Sequence, residues 1–545
     1  METVVTTTTI AAAAVSPSPT PFTTQHLAGE QILSKLHAIA SSAAYWGEKL
    51  PGSAVVKRYI VSSHQNDPVR TIFELLFFLF AVRYFVASRY STSNPHHVKF
   101  TEADIDELVE EWEPEPLVPK STVLEELDLG SIPLIHGESG PVVDVESPRV
   151  GHVKRATNLA STDFLGWAKD PVIKERAVQI VREYGVGSCG PPGFYGNQDI
   201  HVKCEKDLAR FCNAESAILY AQAFNTMSSV IPSFMKRGDI VIADDRVGTS
   251  TQKGLQVSRV TLRWYKHNDM EDLARVLAKT NHEFRKAPLT KRFIVTEGLF
   301  ENTGDLCNLP EIIKLKYKFK YRLLLDESLS FGLVGSTGRG VLEHYQENGH
   351  PELSRQQIEL TAGSMAVTFS SAGGFVAGSD AAVEHQRIGS NAVTFSASMP
   401  GYLAAASSQA IERLEEDNSR VVKLRENTHH FRTILEKQLQ AARVLGSVVE
   451  FVSSPLSPHI LIKLSDDFRP ETLTSFVAAE ELLQQIVDLC LAEGVFITRH
   501  KRVPTHEIIA LESMLRIEVS AFLSTQQLDE SASVIAGVVK SIASA

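Results

Sequence analysis

Tyr321-Arg-Leu-Leu-Leu-Asp-Glu-Ser-Leu-Ser-Phe-Gly332 is a short apolar run that ends on a carboxylate and breaks into hydroxyls and a glycine. Three leucines in succession leave no polar face, so the run reads as a strand buried on both sides, as in parallel sheets covered by helices. Asp239-Ile-Val-Ile-Ala-Asp244 and Arg292-Phe-Ile-Val-Thr-Glu297 have the same form. Segments of helical periodicity at 270–279 and 309–318 alternate with them. The alternation predicts an α/β fold with a mostly parallel sheet. Ligands of such sheets sit beyond the carboxyl ends of the strands, where Asp244, Glu297 and Asp326 stand.

The chain has 545 residues, 43% hydrophobic and 22% charged, enough for a large core and two globular domains with extensions. Its net charge of -11 argues against a nucleic-acid partner, which would require a basic face. Cys189, Cys204, Cys212, Cys307 and Cys490 are odd in number and lack CxxC spacing. Neither a disulfide framework nor a metal site is expected, and a reducing, cytosol-facing environment follows.

Residues 1–26 form a Thr/Ala/Ser/Pro-rich tail, read as disordered rather than as a signal peptide. Within 27–100, Ile32, Leu33, Leu36, Ile39, Ala43 and Trp46 recur at helical spacing, which suits either a membrane- or partner-bound amphipathic helix or one docked on its own domain. The stretch 72–88, IFELLFFLFAVRYFVAS, is the most apolar of the chain. It is expected to span or embed in a membrane, the alternative being a buried core helix; Glu74 and Arg83 lie near its ends. An acidic linker is expected over 101–150, a large domain over 151–400 and a small α+β domain over 401–545.

Further motifs surround the opening stretch. Tyr184-Gly-Val-Gly-Ser-Cys-Gly-Pro-Pro-Gly-Phe-Tyr-Gly196 packs five glycines into thirteen residues, which demands tight turns or close backbone approach. Trp264-Tyr-Lys-His-Asn-Asp-Met-Glu271, Thr296-Glu-Gly-Leu-Phe-Glu-Asn-Thr-Gly-Asp305, Gly335-Ser-Thr-Gly-Arg-Gly340 and Phe395-Ser-Ala-Ser-Met-Pro400 follow. With Leu108-Val-Glu-Glu-Trp-Glu-Pro-Glu-Pro-Leu-Val-Pro119 ahead of them, they resemble the α-oxoamine synthase family of aspartate-aminotransferase-fold pyridoxal-phosphate (PLP) enzymes. The likeness runs from about Asn158 to the C-terminus and is strongest to the family of first long-chain-base subunits of serine palmitoyltransferases.

That resemblance implies a PLP-transferase large domain, a smaller C-terminal α+β domain and an N-terminal membrane-associated helical segment. It implies condensation of L-serine with palmitoyl-CoA to 3-ketosphinganine by a heterodimer at the endoplasmic reticulum membrane, its globular part facing the cytosol. The implied partners are a lysine-bearing second long-chain-base subunit, a small activating subunit and Orm-family regulators.

The resemblance also places residues. In the small-residue loop Gly363 to Gly374, Val367 stands where the family has its Schiff-base lysine; a valine cannot form that bond. The pair Gly373-Gly374 fixes the register, and no lysine occurs between Lys320 and Lys423. Gly248 replaces the stacking histidine and Leu329 the histidine of the D-x-x-H pattern, while Asp326 matches the carboxylate that pairs with the pyridinium or, alternatively, caps a strand end. PLP is thus expected to be bound through the partner's lysine, with no catalytic residue in this chain. Ser396 and Ser398 are candidates for the partner's PLP phosphate, Ser398 alternatively being a helix cap. Cys189, Phe194, Tyr195 and Asn197 are candidates for crossing the interface and shaping serine selectivity, Cys189 alternatively being a packed thiol. Pro192 stands where related subunits have arginine, and Arg499 is the nearest match to the arginine that holds the substrate carboxylate, alternatively part of a solvated basic cluster. Two rival readings remain: a self-sufficient PLP synthase using another lysine such as Lys253, and a membrane scaffold for regulators.

Overall fold

The computed structural model describes residues 51–86, 100–468, 475–503, 506–509 and 512–544. The expected tail over 1–26 and the amphipathic helix over 31–46 lie outside the described residues. The chain divides into two compact units, residues 1–117 and 118–545.

In the first unit, helices Ser53–Asn66 and Pro68–Val86 are followed by Glu102–Glu111, which starts on a reciprocal cap between Thr101 and Asp104. Pro68–Val86 buries none of its side chains; Phe73, Phe77, Phe78 and Phe80 are all exposed. Its 19 residues measure about 28 Å. Arg70, Glu74 and Arg83 interrupt it, and no helix among the described residues is long and apolar enough to cross a membrane. The spanning segment expected over 72–88 is corrected accordingly, residues 87 and 88 being outside the described ones.

The second unit opens with a short helix, Val123–Leu129, and three strands, β1 (Leu134–His136), β2 (Val142–Ser147) and β3 (Gly151–Asn158). The stretch expected as a linker over 101–150 is therefore largely structured. Part of the reason is distant in sequence: β1 pairs with β2 and β2 with β3, and β3 pairs in parallel with β13 (Val495–Phe496).

The large sheet contains β4 (Ser216–Tyr220), β5 (Ile240–Asp244), β6 (Thr261–Tyr265), β7 (Arg292–Glu297), β8 (Arg322–Asp326), β9 (Leu360–Ser364) and β10 (Gly374–Gly378). Their order is β4-β10-β9-β8-β7-β5-β6, and only β10 runs against its neighbours. The leucines of β8 show why: Leu323 and Leu325 pack with Leu273 and Ile312 on one face, Leu324 with Val230 and Val376 on the other. All three are fully buried, as the continuous apolar run predicts.

The third sheet, β11 (Val449–Phe451), β12 (His459–Leu464), β14 (Thr498–Arg499) and β15 (Met514–Glu518), is antiparallel in the order β11-β12-β15-β14. Its core includes Phe431, Leu435 and Ile535. Helix Gly401–Glu416 belongs elsewhere: Ala404, Ala410, Ile411 and Leu414 pack with Leu208 and Phe369 of the large layer.

Candidate active-site cavity

A cavity of about 330 Å³ opens at the carboxyl ends of β7, β8 and β9. It gathers Gly248, Asp326, Leu329 and Val367, four positions separated in sequence by more than a hundred residues at the extremes. No lysine lines it. Lys253 points elsewhere, its Nζ 3.2 Å from Gln256 Oε1.

Each position has a local cause. Gly248 begins the helix Thr249–Ser258, and its backbone N–H donates to Glu297 Oε1. A Cβ on Gly248 would stand 3.2 Å from that oxygen and 3.3 Å from Glu301 Oε2. Glu297 thus holds the space into which a stacking ring would project. Leu329 turns into the apolar core, and Val367 packs against the same cluster. Asp326 ends β8 and accepts the Ser328 N–H at 2.9 Å.

The electrostatics follow from burial. Glu297 lies beside Asp326 across the strand pair, and desolvation followed by the Asp326 charge pushes its carboxyl well up. It accepts N–H groups from Gly248 and, at 3.1 Å, Glu301. Burial raises Asp326 to about 6, the Glu301 charge adding to the effect. PLP held covalently requires an amine at position 367, and a stacked ring requires room above Gly248; neither is present. The chain's own residues do not fit a covalently bound PLP; Asp326 stands buried at the end of β8 on the cavity wall.

Arg499 departs from expectation. Arg499 is fully buried away from the cavity, bonded to Glu480, to Gln484 at 2.8 Å and to Asp128 at 2.5 Å. It is neither a substrate clamp nor a solvated cluster. Arg516 on β15 lines the cavity instead, with its Nε donating to the buried Glu518. A sequence signal existed: in Met514-Leu-Arg-Ile-Glu518 the strand alternation sets Arg516 apart from buried Leu515 and Ile517. His267 was also missed. Burial works against its charge, but Asp244 at 2.8 Å and Asp305 at 3.0 Å raise it to about 10. It ties the end of β5 to the loop that carries Glu301.

The remaining candidates form a second group. Tyr195 Oη donates to the Cys189 carbonyl at 3.1 Å, and the Ser398 N–H donates to the Gly190 carbonyl at 2.9 Å. The two segments 189–197 and 395–400 therefore pack on each other, outside the cavity. Cys189 adopts a positive φ of 58° and is exposed, unlike the other four cysteines. Phe194, Tyr195, Asn197, Phe395 and Ser396 are exposed as well. Ser398 does not cap the helix Gly401–Glu416, whose N-cap is Pro400; its Oγ is buried without a partner.

The sequence model of the aminotransferase class I and II family matches residues 154–535. Serine palmitoyltransferase 1 of Dictyostelium discoideum is 40% identical, the match covering 80% of this chain and 87% of that one. Serine palmitoyltransferase 1 of Saccharomyces cerevisiae is 35% identical over 88% and 90% of the two chains. Long chain base biosynthesis protein 1b of Oryza sativa subsp. japonica is 39% identical over 78% and 82%. Among solved structures, the S. paucimobilis serine palmitoyltransferase with bound PLP-myriocin aldimine superposes with a TM-score of 0.65 at 19% identity, covering 82% of this chain and all of that one. The 8-amino-7-oxononanoate synthase of Francisella tularensis gives a TM-score of 0.55 at 21% identity, covering 71% and 98%. With this fold and these relatives, the chain belongs to the aminotransferase class I and II family and, within it, to the first long-chain-base subunits of serine palmitoyltransferase.

Proposed function

We propose that this chain is the non-catalytic but required subunit of a serine palmitoyltransferase that condenses L-serine with palmitoyl-CoA to 3-ketosphinganine. The observation that carries the reading is the convergence of Val367, Gly248 and Leu329 on one cavity, which removes the amine and both ring positions while the fold around them persists. The cofactor and its lysine belong to a second, related subunit. When bound there, PLP supplies the electron sink for the serine carbanion. This chain's share is to complete that site across the interface with the segments 189–197 and 395–400. Their exposed aromatic side chains, Phe194, Tyr195 and Phe395, supply the kind of surface that anchors an interface.

The same reading places the protein at the endoplasmic reticulum membrane, facing the cytosol, with a small activating subunit and Orm-type regulators as further partners. The unburied apolar surface of helix Pro68–Val86 supports attachment to a lipid or protein surface.

The test is condensation of serine with palmitoyl-CoA in membranes expressing this chain alone, the lysine-bearing partner alone, or both. Activity only with both, abolished by replacing the partner's lysine and untouched by Lys253→Ala, is the expected result. Activity from this chain alone would instead support a self-sufficient enzyme.

A further inference from the structure

A second cavity lies at the opposite edge of the large sheet, where the parallel strands begin. It measures about 530 Å³, with Phe234, Phe293 and Leu360 among its apolar walls. Arg322 opens β8 at this edge and Asp326 closes it at the other, so the two cavities stand roughly 13 Å apart along the strand.

Lys291, Arg322 and Arg355 line this second cavity. Among the described residues none of the three forms an ion pair, and the Lys291 ammonium donates only to the neutral Phe234 carbonyl, at 2.8 Å. Of the two carboxylates at the cavity, Glu359 is paired with Lys316 at 2.7 Å and accepts the Leu323 N–H, while Glu215 accepts the Asp380 N–H at 3.1 Å and keeps its charge. Arg355 is the informative member. It is 7% exposed, its two terminal nitrogens donate to the carbonyls of Ile358 and Ala377, and its Nε is buried with no partner. Neutral carbonyls orient a guanidinium but do not cancel its charge, and burial pulls this one below its ordinary range. Arg322 is exposed and lies over the Phe293 ring, 5.8 Å from its centroid, without another partner. Ser379, the N-cap of helix Asp380–Gly389, and Ala382 in its first turn complete the same wall.

We propose that this cavity is a binding site for a small soluble oxyanion borne on a planar apolar body, an aromatic phosphomonoester by chemical class. With Glu359 offset by Lys316, three cations face one uncompensated carboxylate, Glu215; the excess of two positive charges suits a dianion, and guanidinium groups match phosphate oxygens in pairs. Phe234, Phe293 and the His385 ring, whose centroid is 5.0 Å from that of Phe234, offer flat apolar surface beside the charge. The volume lies in the range of small-molecule sites.

The test is titration calorimetry of the full chain, co-purified with its partner, against phenyl phosphate, with inorganic phosphate and phenol titrated separately. The expected result is saturable binding that is tighter for phenyl phosphate than for either half and weakens with salt. Arg322→Ala and Lys291→Ala, both at exposed positions, each weaken it about tenfold or more while leaving condensation activity unchanged. No saturable binding, or an affinity unaltered in the double variant, overturns the site. Binding of phosphatidic-acid vesicles without any binding of phenyl phosphate overturns the soluble ligand.

Discussion

Glu297 and Asp326 end two adjacent parallel strands in register, so that two buried carboxyls stand side by side with no cation paired to either among the described residues. Burial raises Asp326 to about 6 and Glu297 further. A carboxyl whose folded pKa is raised keeps a proton that the unfolded chain has released, so its stability contribution is intact at low pH and declines as pH rises. For Asp326 the window runs from about 4, its unfolded value, to about 6. Asp326→Asn removes this penalty. In urea melts the variant should gain on the parent across that window, by on the order of 3 kcal/mol, and go on gaining above it as relief from the Asp326 charge lets Glu297 ionise more readily. A gap independent of pH would show that Asp326 is ionised throughout.

His267 has the opposite sign. Although burial opposes its charge, Asp244 and Asp305 hold it up at about 10, so its contribution is full below the unfolded value of about 6.5 and fades as pH rises toward 10. Replacement by glutamine leaves the fully buried Asp244 facing Asp305 without a charge between them. His267→Gln should cost about 3 kcal/mol at pH 7 and flatten the loss of stability between pH 7 and 10. Thermal melts across that range decide it. Equal slopes in parent and variant would mean that His267 is neutral.

Restoring the lysine should not restore the cofactor site. In Val367→Lys the new amine shares a cavity with Glu297, Glu301 and Asp326. Carboxylates favour its charged form, and a Schiff base needs the neutral amine. Gly248→His adds a ring where Glu297 Oε1 is 3.2 Å from the first side-chain carbon. Both single variants and the double variant should stay colourless with PLP and release it on gel filtration. A yellow protein that survives borohydride reduction with label at position 367 would mean that only the lysine was missing.

Legibility followed the range of the contacts. The strand Leu323–Leu325 is buried on both faces, and three consecutive leucines say so without help from the rest of the chain. The family resemblance placed Val367 by a glycine pair and Leu329 by a D-x-x-H frame, and the structure brings both to one cavity with Gly248. Arg499 and Arg516 were not legible in this way. They sit on neighbouring strands of one sheet, and what separates them is Asp128, which reaches Arg499 from the far end of the unit. The strands β1 and β2 within the expected linker were hidden for the same reason, since they build on β3, which pairs with β13. The apolar character of 72–86 was plain, but Arg70, Glu74 and Arg83 set its limit as a membrane span.

The packed segments 189–197 and 395–400 allow assembly to be separated from folding. A Cβ on Gly196 would fall 1.8 Å from the Gly190 carbonyl oxygen and 2.7 Å from Ser398 Oγ. The carbonyl is backbone and yields only if the loop moves, so Gly196→Ala should displace Tyr195 and the Ser398 contact together and lose both partner binding and activity. That result alone is compatible with a purely structural loop. Phe395 supplies the control, because it is 78% exposed and its replacement should shift stability by no more than about 0.5 kcal/mol. If the segments meet the lysine-bearing subunit, Phe395→Asp should leave the melting temperature of this chain unchanged yet weaken co-purification by about thirtyfold, equivalent to about 2 kcal/mol. Condensation activity should fall in step and recover when the partner is supplied in excess. Normal co-purification of Phe395→Asp would remove this face from the interface, whatever Gly196→Ala does.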